Sequence, residues 1–169
     1  HTILFFTNKG RVYRQKGYEI PEGSRTAKGT AIINVLPLEQ DEKITAVIPI
    51  KEFVEGQYMF MATNLGTVKK TNLSEFASIR KIGMIAISLD EEEELIGVEL
   101  TGGQHDVILG TEKGIAIVFK ESDVRPMGRT AHGVRGINLN RYKETESGKE
   151  IYYDHVVAMD VVDPNEDKG

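Results

Sequence analysis

The sequence predicts an all-β fold of radially arranged blades, related to the β-propeller, because one strand–turn–strand pattern occurs three times in 169 residues. Each copy has a turn glycine at the same place, at positions 10, 66 and 114, so the spacing is 56 and then 48 residues. Repeats of about 50 residues built on β-hairpins are typical of propellers and related arrays. The copies are residues 3–14 (ILFFTNKGRVYR), 59–70 (MFMATNLGTVKK) and 107–118 (VILGTEKGIAIV).

A second glycine follows each turn glycine at a nearly constant distance, at Gly29, Gly83 and Gly133. Glycine at such positions allows positive φ or close backbone approach, so we expect structural roles for both sets. The recurrence divides the chain into three repeats and a short polar tail. Their predicted bounds are residues 1–54, 55–103 and 104–163, with the tail at 164–169.

Each repeat is predicted to supply about four strands, the content of one four-stranded antiparallel blade. The first two strands flank the turn glycine, and one helical turn or loop follows at residues 71–76 and 121–124. A third, strand-like segment begins at the second glycine, and an apolar strand closes the unit after an acidic turn. The third segments are residues 30–35, 84–89 and 134–139, and the closing strands are 44–50, 95–100 and 155–161.

Two local features qualify this pattern. Pro49 lies inside a predicted closing strand and indicates an edge strand or a strand end, because proline cannot donate to a ladder. The third repeat carries a polar insertion at residues 141–150, which we expect to be a flexible loop.

Composition limits the class of protein. With no cysteine, a disulfide-stapled secreted fold is excluded and a reducing, cytoplasmic location is the default. No apolar run approaches the ~18 residues that a membrane helix needs, so no membrane association is predicted. The chain begins at His1, and the first repeat lacks a lead-in, which indicates a piece of a longer protein.

Charge alternates in step with the repeat, although the net charge is -5. Residues 1–30, 61–87 and 107–141 are net positive, and the segments that follow each of them are net negative. Equivalent segments of a radial array occupy equivalent positions, so the basic segments should form one continuous band. A phosphate backbone responds to that local field, not to the net charge.

The band consists of Lys and Arg side chains from all three repeats, which could contact successive phosphates along a curved path. The alternative for any one of them is an ordinary solvated strand face. The candidate DNA-binding residues are Arg11, Arg14, Lys16, Arg25, Lys28, Lys69, Lys70, Arg80, Lys81, Lys120, Arg125, Arg129 and Arg135.

The sequence contains no arrangement of residues that indicates catalysis or metal binding. The four histidines are scattered, the acidic run at residues 90–94 matches no calcium loop, and no phosphate-binding glycine motif occurs. We therefore predict no catalytic residues and no metal site.

Several stretches resemble the C-terminal domain of gyrase A, the DNA-cleaving polypeptide of the type IIA topoisomerase DNA gyrase. The resemblance runs from residue 1 to about 140 and does not extend to the 141–153 insertion. The stretches are residues 60–71 (FMATNLGTVKKT), 25–29 (RTAKG), 33–38 (INVLPL), 94–98 (ELIGV) and 119–125 (FKESDVR).

The resemblance implies a six-bladed β-pinwheel, whose blades exchange strands with their neighbours and whose basic rim bends DNA. Three repeats would be about half of it. It also implies that the active-site tyrosine lies in another part of gyrase A and that gyrase B hydrolyses ATP. A glutamine–arginine–glycine-rich box needed for wrapping would lie just before His1. By match of motif, ten of the candidate residues are basic in family members too, whereas Arg14, Lys81 and Arg129 are basic in this sequence and are not carried over from the resemblance.

These observations predict a non-catalytic fragment that binds and bends duplex DNA without sequence specificity and supports negative supercoiling. The fragment needs no cofactor; ATP and Mg belong elsewhere in a holoenzyme of two gyrase A and two gyrase B polypeptides. Two alternatives stay open. One is the equivalent domain of topoisomerase IV, which wraps without direction, and the other is a protein-binding propeller without DNA affinity.

Overall fold

A computed structural model describes residues 1–16, 36–80 and 82–164, and these form three antiparallel sheets and a separate two-stranded hairpin. The strands are β1 (Thr2–Thr7), β2 (Arg11–Lys16), β3 (Ile44–Ile50), β4 (Tyr58–Thr63), β5 (Thr67–Asn72), β6 (Met84–Ile85), β7 (Leu95–Thr101), β8 (Asp106–Thr111), β9 (Ala116–Lys120), β10 (Val134–Arg135), β11 (Asn140–Thr145), β12 (Gly148–Tyr153) and β13 (Val156–Val162). The predicted all-β fold class is confirmed.

Each sheet is built on the hairpin that carries a turn glycine. The first sheet has the order β3-β1-β2-β6, the second β10-β5-β4-β7, and the third β13-β8-β9. Gly10, Gly66 and Gly114 have φ of 75°, 89° and 89°, so each turn uses the left-handed conformation that glycine adopts without strain. The sequence prediction of three equivalent hairpins is confirmed.

Neighbouring repeats exchange strands, which completes the first two sheets. β6, from the second repeat, pairs with β2 of the first, and β10, from the third repeat, pairs with β5 of the second. Beyond these short pairings, Ala86 N donates to Gly10 O over 2.8 Å, and Gly136 N donates to Gly66 O over 2.7 Å. Within the described part of the chain the third sheet has three strands.

The core lies between successive sheets, and β4 is covered on both of its faces. Met59 and Met61 pack towards the first sheet, in a cluster with Leu4 and Phe6 of β1. The alternate residues of β4, which include Phe60, pack towards the third sheet in a second cluster. Successive side chains of a strand point to opposite faces, so an apolar run such as that of β4 is expected where both faces are buried.

Backbone hydrogen bonds repeat at the junctions between sheets. Leu95 N donates to Asn8 O over 3.0 Å, and Val156 N donates to Asn64 O over 2.9 Å, one repeat further on. The side chains of the same two asparagines bind the acidic turns. Lys43 N donates to Asn8 Oδ1, and Glu94 N donates to Asn64 Oδ1, each over 2.8 Å.

Several local predictions are confirmed. Short 3-10 turns occur at Leu73–Phe76 and Glu121–Asp123, where one helical turn or a loop was expected. The strand that contains Pro49 is β3, which lies at the edge of its sheet. The predicted strand at 30–35, Gly29 and residues 165–169 of the tail lie outside the described residues.

Two predictions are wrong. The insertion at 141–150 is not an irregular loop, because β11 and β12 pair over Asn140–Thr145 and Gly148–Tyr153 around a turn in which Gly148 has φ 124°. The segments 84–89 and 134–139 form only two-residue strands, β6 and β10. Both strands end early because the next amides no longer pair along the ladder. The amides of Ala86 and Ile87 both donate to the Gly10 carbonyl, and those of Gly136 and Ile137 both donate to the Gly66 carbonyl.

Candidate nucleic-acid interface

The exchanged strands β6 and β10 form the outer edges of the first two sheets and lie among the predicted basic residues. Arg80 precedes β6 and is exposed, and Arg135 is exposed within β10 itself. The acidic turns lead instead into β3 and β7, at the opposite edges of the same sheets. The topology therefore separates positive from negative charge across each sheet.

Three further exposed cations lie close to the ends of the hairpins. Lys16 ends β2 and Lys120 ends β9, each six residues after its turn glycine, where the second repeat has Asn72. Arg125 follows the 3-10 turn of the third repeat. Long, solvated side chains of this kind can reach phosphates without any movement of the strands that carry them.

Two arginines hold the outer strand of the first sheet from either side. Arg11 Nη2 donates to Ile82 O over 3.3 Å, and its guanidinium carbon lies 5.7 Å from the ring centre of Tyr13. Arg129, from the third repeat, donates from Nη1 to Ile85 O over 2.8 Å. These contacts place two guanidinium groups beside β6. Arg14 is half-buried within β2.

Lys69 is not part of the exposed band, contrary to expectation. Its side chain is fully buried, and Nζ donates to Ala86 O over 2.6 Å, Arg129 O over 2.5 Å and Ala131 O over 3.3 Å. Burial lowers the pKa of Lys69 to about 8, an effect that Glu75 opposes and Arg129 reinforces. The ammonium therefore joins the first sheet to the loop of the third repeat and has no access to a phosphate.

Lys70 is also buried, with 4% of its surface exposed. Its Nζ donates to Glu121 O over 3.1 Å and lies 4.8 Å from the ring centre of Tyr58. The expectation of an exposed cation is therefore wrong at both lysines, because β5 is covered on both faces. One signal in the sequence could have shown this: the residues at the position of Lys69 in the other repeats are Tyr13 and Ile117.

Sequence reasoning missed two buried glutamates that fix the acidic turns. Glu42 accepts hydrogen bonds from the hydroxyls of Thr7 (2.6 Å) and Tyr13 (2.8 Å). Glu93 accepts from the Thr63 hydroxyl over 2.7 Å and from Asp90 N over 2.9 Å. A threonine three residues before the turn glycine pairs with a glutamate 35 residues later in the first repeat and 30 residues later in the second, and the repeat alignment could have found this pairing.

Three of the candidate residues, Arg25, Lys28 and Lys81, lie outside the described residues.

Across the described ranges, no three His, Asp or Glu side chains are grouped so that they could hold a metal ion. No helix in the same ranges has the length and apolar character needed to cross a membrane. The exposed cations described above lie along the sheet edges as separate point charges.

Comparison with solved structures shows the same architecture. The C-terminal domain of DNA topoisomerase IV superposes with a TM-score of 0.80 at 32% identity, over 96% of this chain and 47% of that one. The DNA gyrase A C-terminal domain superposes with a TM-score of 0.68 at 24% identity, over 94% of this chain and 46% of that one. At that identity the second match shows the fold alone.

Curated relatives are DNA gyrase A polypeptides. The chain is 62% identical over 138 residues to that of Halalkalibacterium halodurans and 54% identical over 137 residues to that of Escherichia coli, matches that cover 82% and 81% of the chain. It is 48% identical over 162 residues, 95% of the chain, to that of Staphylococcus epidermidis. The chain spans only 16–17% of the length of these relatives.

The family described as DNA gyrase C-terminal domain, beta-propeller, matches at residues 1–51, 57–101 and 105–145. Each stretch lies within one of the repeats predicted from the sequence. Since the three matches together cover most of the chain, and each contains the hairpin on which one of the three sheets is built, the chain belongs to the DNA gyrase C-terminal domain family.

Proposed function

We propose that this chain binds duplex DNA without sequence specificity and bends it along the outer edges of its sheets. The observation that carries the proposal is that both exchanged strands have arginines beside or within them, although at different repeat positions: Arg80, Arg11 and Arg129 around β6, and Arg135 within β10. Lys16, Lys120 and Arg125 extend the charged edge in the first and third repeats.

Binding of this kind derives its free energy mainly from counterion release. Each Lys or Arg that neutralises a phosphate displaces condensed cations, so the affinity falls as salt rises. Curving the duplex across neighbouring sheets brings more phosphates within reach, and these contacts offset the elastic energy of the bend. The proposed contacts of the described cations are with phosphates, which carry no sequence information, so unrelated sequences should bind alike.

Within a complete gyrase, the bent segment would be presented to the DNA gate in one handedness, which would support negative supercoiling. Cleavage and ATP hydrolysis would belong to the remainder of gyrase A and to gyrase B, in a cytoplasmic assembly of two copies of each that uses ATP and Mg. The chain itself would be non-catalytic and would need no cofactor. Curated gyrase A relatives at 48–62% identity favour gyrase over topoisomerase IV.

The salt dependence of binding tests the proposal. A fluorescently labelled duplex of about 40 base pairs is titrated with the chain at low and at moderate salt, with anisotropy as the readout. Among the described candidates, the five fully exposed cations alone would give a slope of log affinity against log salt of up to about -4.5; they are Lys16, Arg80, Lys120, Arg125 and Arg135. Absence of binding at low salt, or an affinity that ignores salt, would refute the proposal and leave a protein-binding propeller as the better account.

A further inference from the structure

The loop and strand between Arg11 and Arg129 carry two exposed isoleucines. Ile82 is 67% exposed and Ile85 is 46% exposed, whereas the alternate residues Gly83 and Ala86 are buried. Single apolar residues are common on protein surfaces. These two are unusual in position, because they lie within the most basic part of the sheet edge.

One guanidinium group binds the backbone carbonyl of each isoleucine. Arg11 binds the carbonyl of Ile82, and Arg129 binds the carbonyl of Ile85, three residues away. A guanidinium has five donors in a planar fork, and each of these contacts uses one of them. The surface therefore places apolar side chains beside cationic groups along β6.

The backbone under Ile82 is fixed. Gly83 has φ 91°, and a Cβ atom added there would lie 2.5 Å from Cε1 of the buried Tyr13 ring, so the loop rests directly on that ring. Gly83 N also donates to Arg80 O over 3.1 Å. The Tyr13 hydroxyl is held in turn by Glu42. The exposed Ile82 is thus followed directly by a glycine that packs on a buried ring.

The DNA backbone has the complementary composition, because anionic phosphates alternate with the carbon-rich faces of the deoxyriboses. In RNA each sugar carries a 2′-hydroxyl, which loses hydrogen bonds to water when it is pressed against an apolar side chain. A cation–apolar–cation surface that binds phosphates would therefore bring its apolar member against a sugar.

We propose that Ile82, on the segment whose carbonyls bind Arg11 and Arg129, packs against deoxyribose carbons of the bound duplex and makes this edge favour DNA over RNA. The inference rests on the proposed DNA binding and adds a contact to it that phosphate neutralisation alone does not require. Arg11 and Arg129 position the segment through the carbonyls of Ile82 and Ile85, and the Ile82 side chain makes the contact.

The test uses the whole chain with Ile82→Ser and, as a matched control, Val157→Ser. Val157 is 58% exposed but lies on β13, beside Lys9, Asp41 and Glu94 and away from β6. Both changes leave the charge unaltered. Affinities for a DNA duplex and for an RNA duplex of the same sequence are measured by anisotropy at several salt concentrations, and circular dichroism checks the fold of each variant.

We expect Ile82→Ser to weaken DNA binding roughly threefold, which corresponds to the loss of partial burial of one aliphatic side chain. Its preference for DNA over RNA should fall by a similar factor, and its salt slope should not change because the phosphate contacts remain. Ile82→Val should restore most of the preference, and Val157→Ser should resemble the unaltered chain.

The outcomes separate the two proposals. If the unaltered chain binds DNA with a steep salt dependence but Ile82→Ser behaves like Val157→Ser, the sugar contact is overturned and the DNA-binding proposal stands. If Ile82→Ser changes the salt slope and not the preference, the loop acts only through its arginines, and the inference is again overturned. If the unaltered chain binds neither duplex, both proposals fail.

Discussion

At the scale of single residues, the fate of a lysine in this chain depends on which faces of its strand are covered. Lys16 and Lys120, at strand ends, are exposed, whereas Lys69 and Lys70, in the middle of β5, are buried. The buried ammonium of Lys69 is satisfied by three backbone carbonyls from two different repeats. Its role is therefore to join repeats, and its charge is not available for binding.

Lys69→Met should destabilise the chain by about 1–3 kcal/mol, because the carbonyls of Ala86, Arg129 and Ala131 would lose their shared donor in the interior. Methionine keeps the length of the side chain, so packing is largely retained. Urea unfolding measures the effect, with Lys51→Met at an exposed site as the control. Equal stability of the two variants would contradict the structural role.

The same lysine predicts how stability changes with pH. Burial lowers its folded-state pKa from 10.5 to about 8. Between pH 8 and 10.5 the unfolded chain therefore holds a proton that the folded chain has released, and the free energy of unfolding rises with pH. Below pH 8 Lys69 is protonated in both the folded and the unfolded chain, so it no longer makes the free energy of unfolding depend on pH.

The measurement compares unfolding of the unaltered chain and of Lys69→Met from pH 7.5 to 9.5. The stability difference between them should shift in favour of the unaltered chain as pH increases in that window. Tyr13, whose pKa burial and the hydrogen bond to Glu42 raise to about 12, is common to both proteins and cancels. A difference that stays constant, or that shifts the other way, would show that Lys69 does not titrate as its environment requires.

At the scale of elements, the organising device is the exchanged strand. β6 and β10 each extend over two residues, yet the segment after each also donates two amides to the carbonyl of a turn glycine in the preceding repeat. In the third repeat, a Cβ atom added at Gly114 would have none of the described residues within 4 Å apart from its chain neighbours, whereas at Gly66 the added atom would lie 2.8 Å from Ile137 O. The glycine turn thus has a described segment packed on it at Gly66 and has none at Gly114.

Gly66→Ala and Gly114→Ala form a matched pair that isolates the exchanged segment. Both introduce a Cβ at φ 89°, which costs about 1–2 kcal/mol for a left-handed residue. Gly66→Ala should cost a further 1–3 kcal/mol, roughly, because the new methyl group overlaps Ile137. Thermal or urea unfolding gives the difference, and similar losses for the two variants would argue against tight packing of the exchanged segment.

Sequence periodicity predicted the elements that depend on local chemistry. The glycine turns, the closing strands and the 3-10 turns follow from backbone preferences and alternation, so residues near Gly10 or Pro49 could be interpreted directly. The partners of β6 and β10 come from other repeats, and the number of residues that pair was not visible in the pattern. The burial of Lys69 was missed for the same reason, since its cover comes from Ala86 and Arg129 in neighbouring segments.

At the scale of the whole molecule, an acidic chain can present a basic edge because its sheets separate their charges. The positive segments lead to the outer edges at β6 and β10, and the acidic turns lead to β3 and β7. Successive sheets repeat this polarity, which would create a curved track while the net charge stays at -5. The net charge therefore predicts that the chain repels a polyanion, whereas the local field at the basic edge predicts that it attracts one. The proposed DNA binding depends on the local field.

The most direct test of the account compares two double variants with the same change in net charge. Arg80→Glu with Arg135→Glu alters the outer edge, and Lys43→Glu with Lys51→Glu alters the exposed ends of β3 at the opposite edge. For both double variants, the affinity for DNA is measured at low salt by letting an unlabelled duplex compete with the labelled one. The account predicts a loss of roughly tenfold or more for the outer-edge pair and a small loss for the β3 pair. Equal losses would show that only net charge matters and would contradict the existence of a DNA track along the exchanged strands.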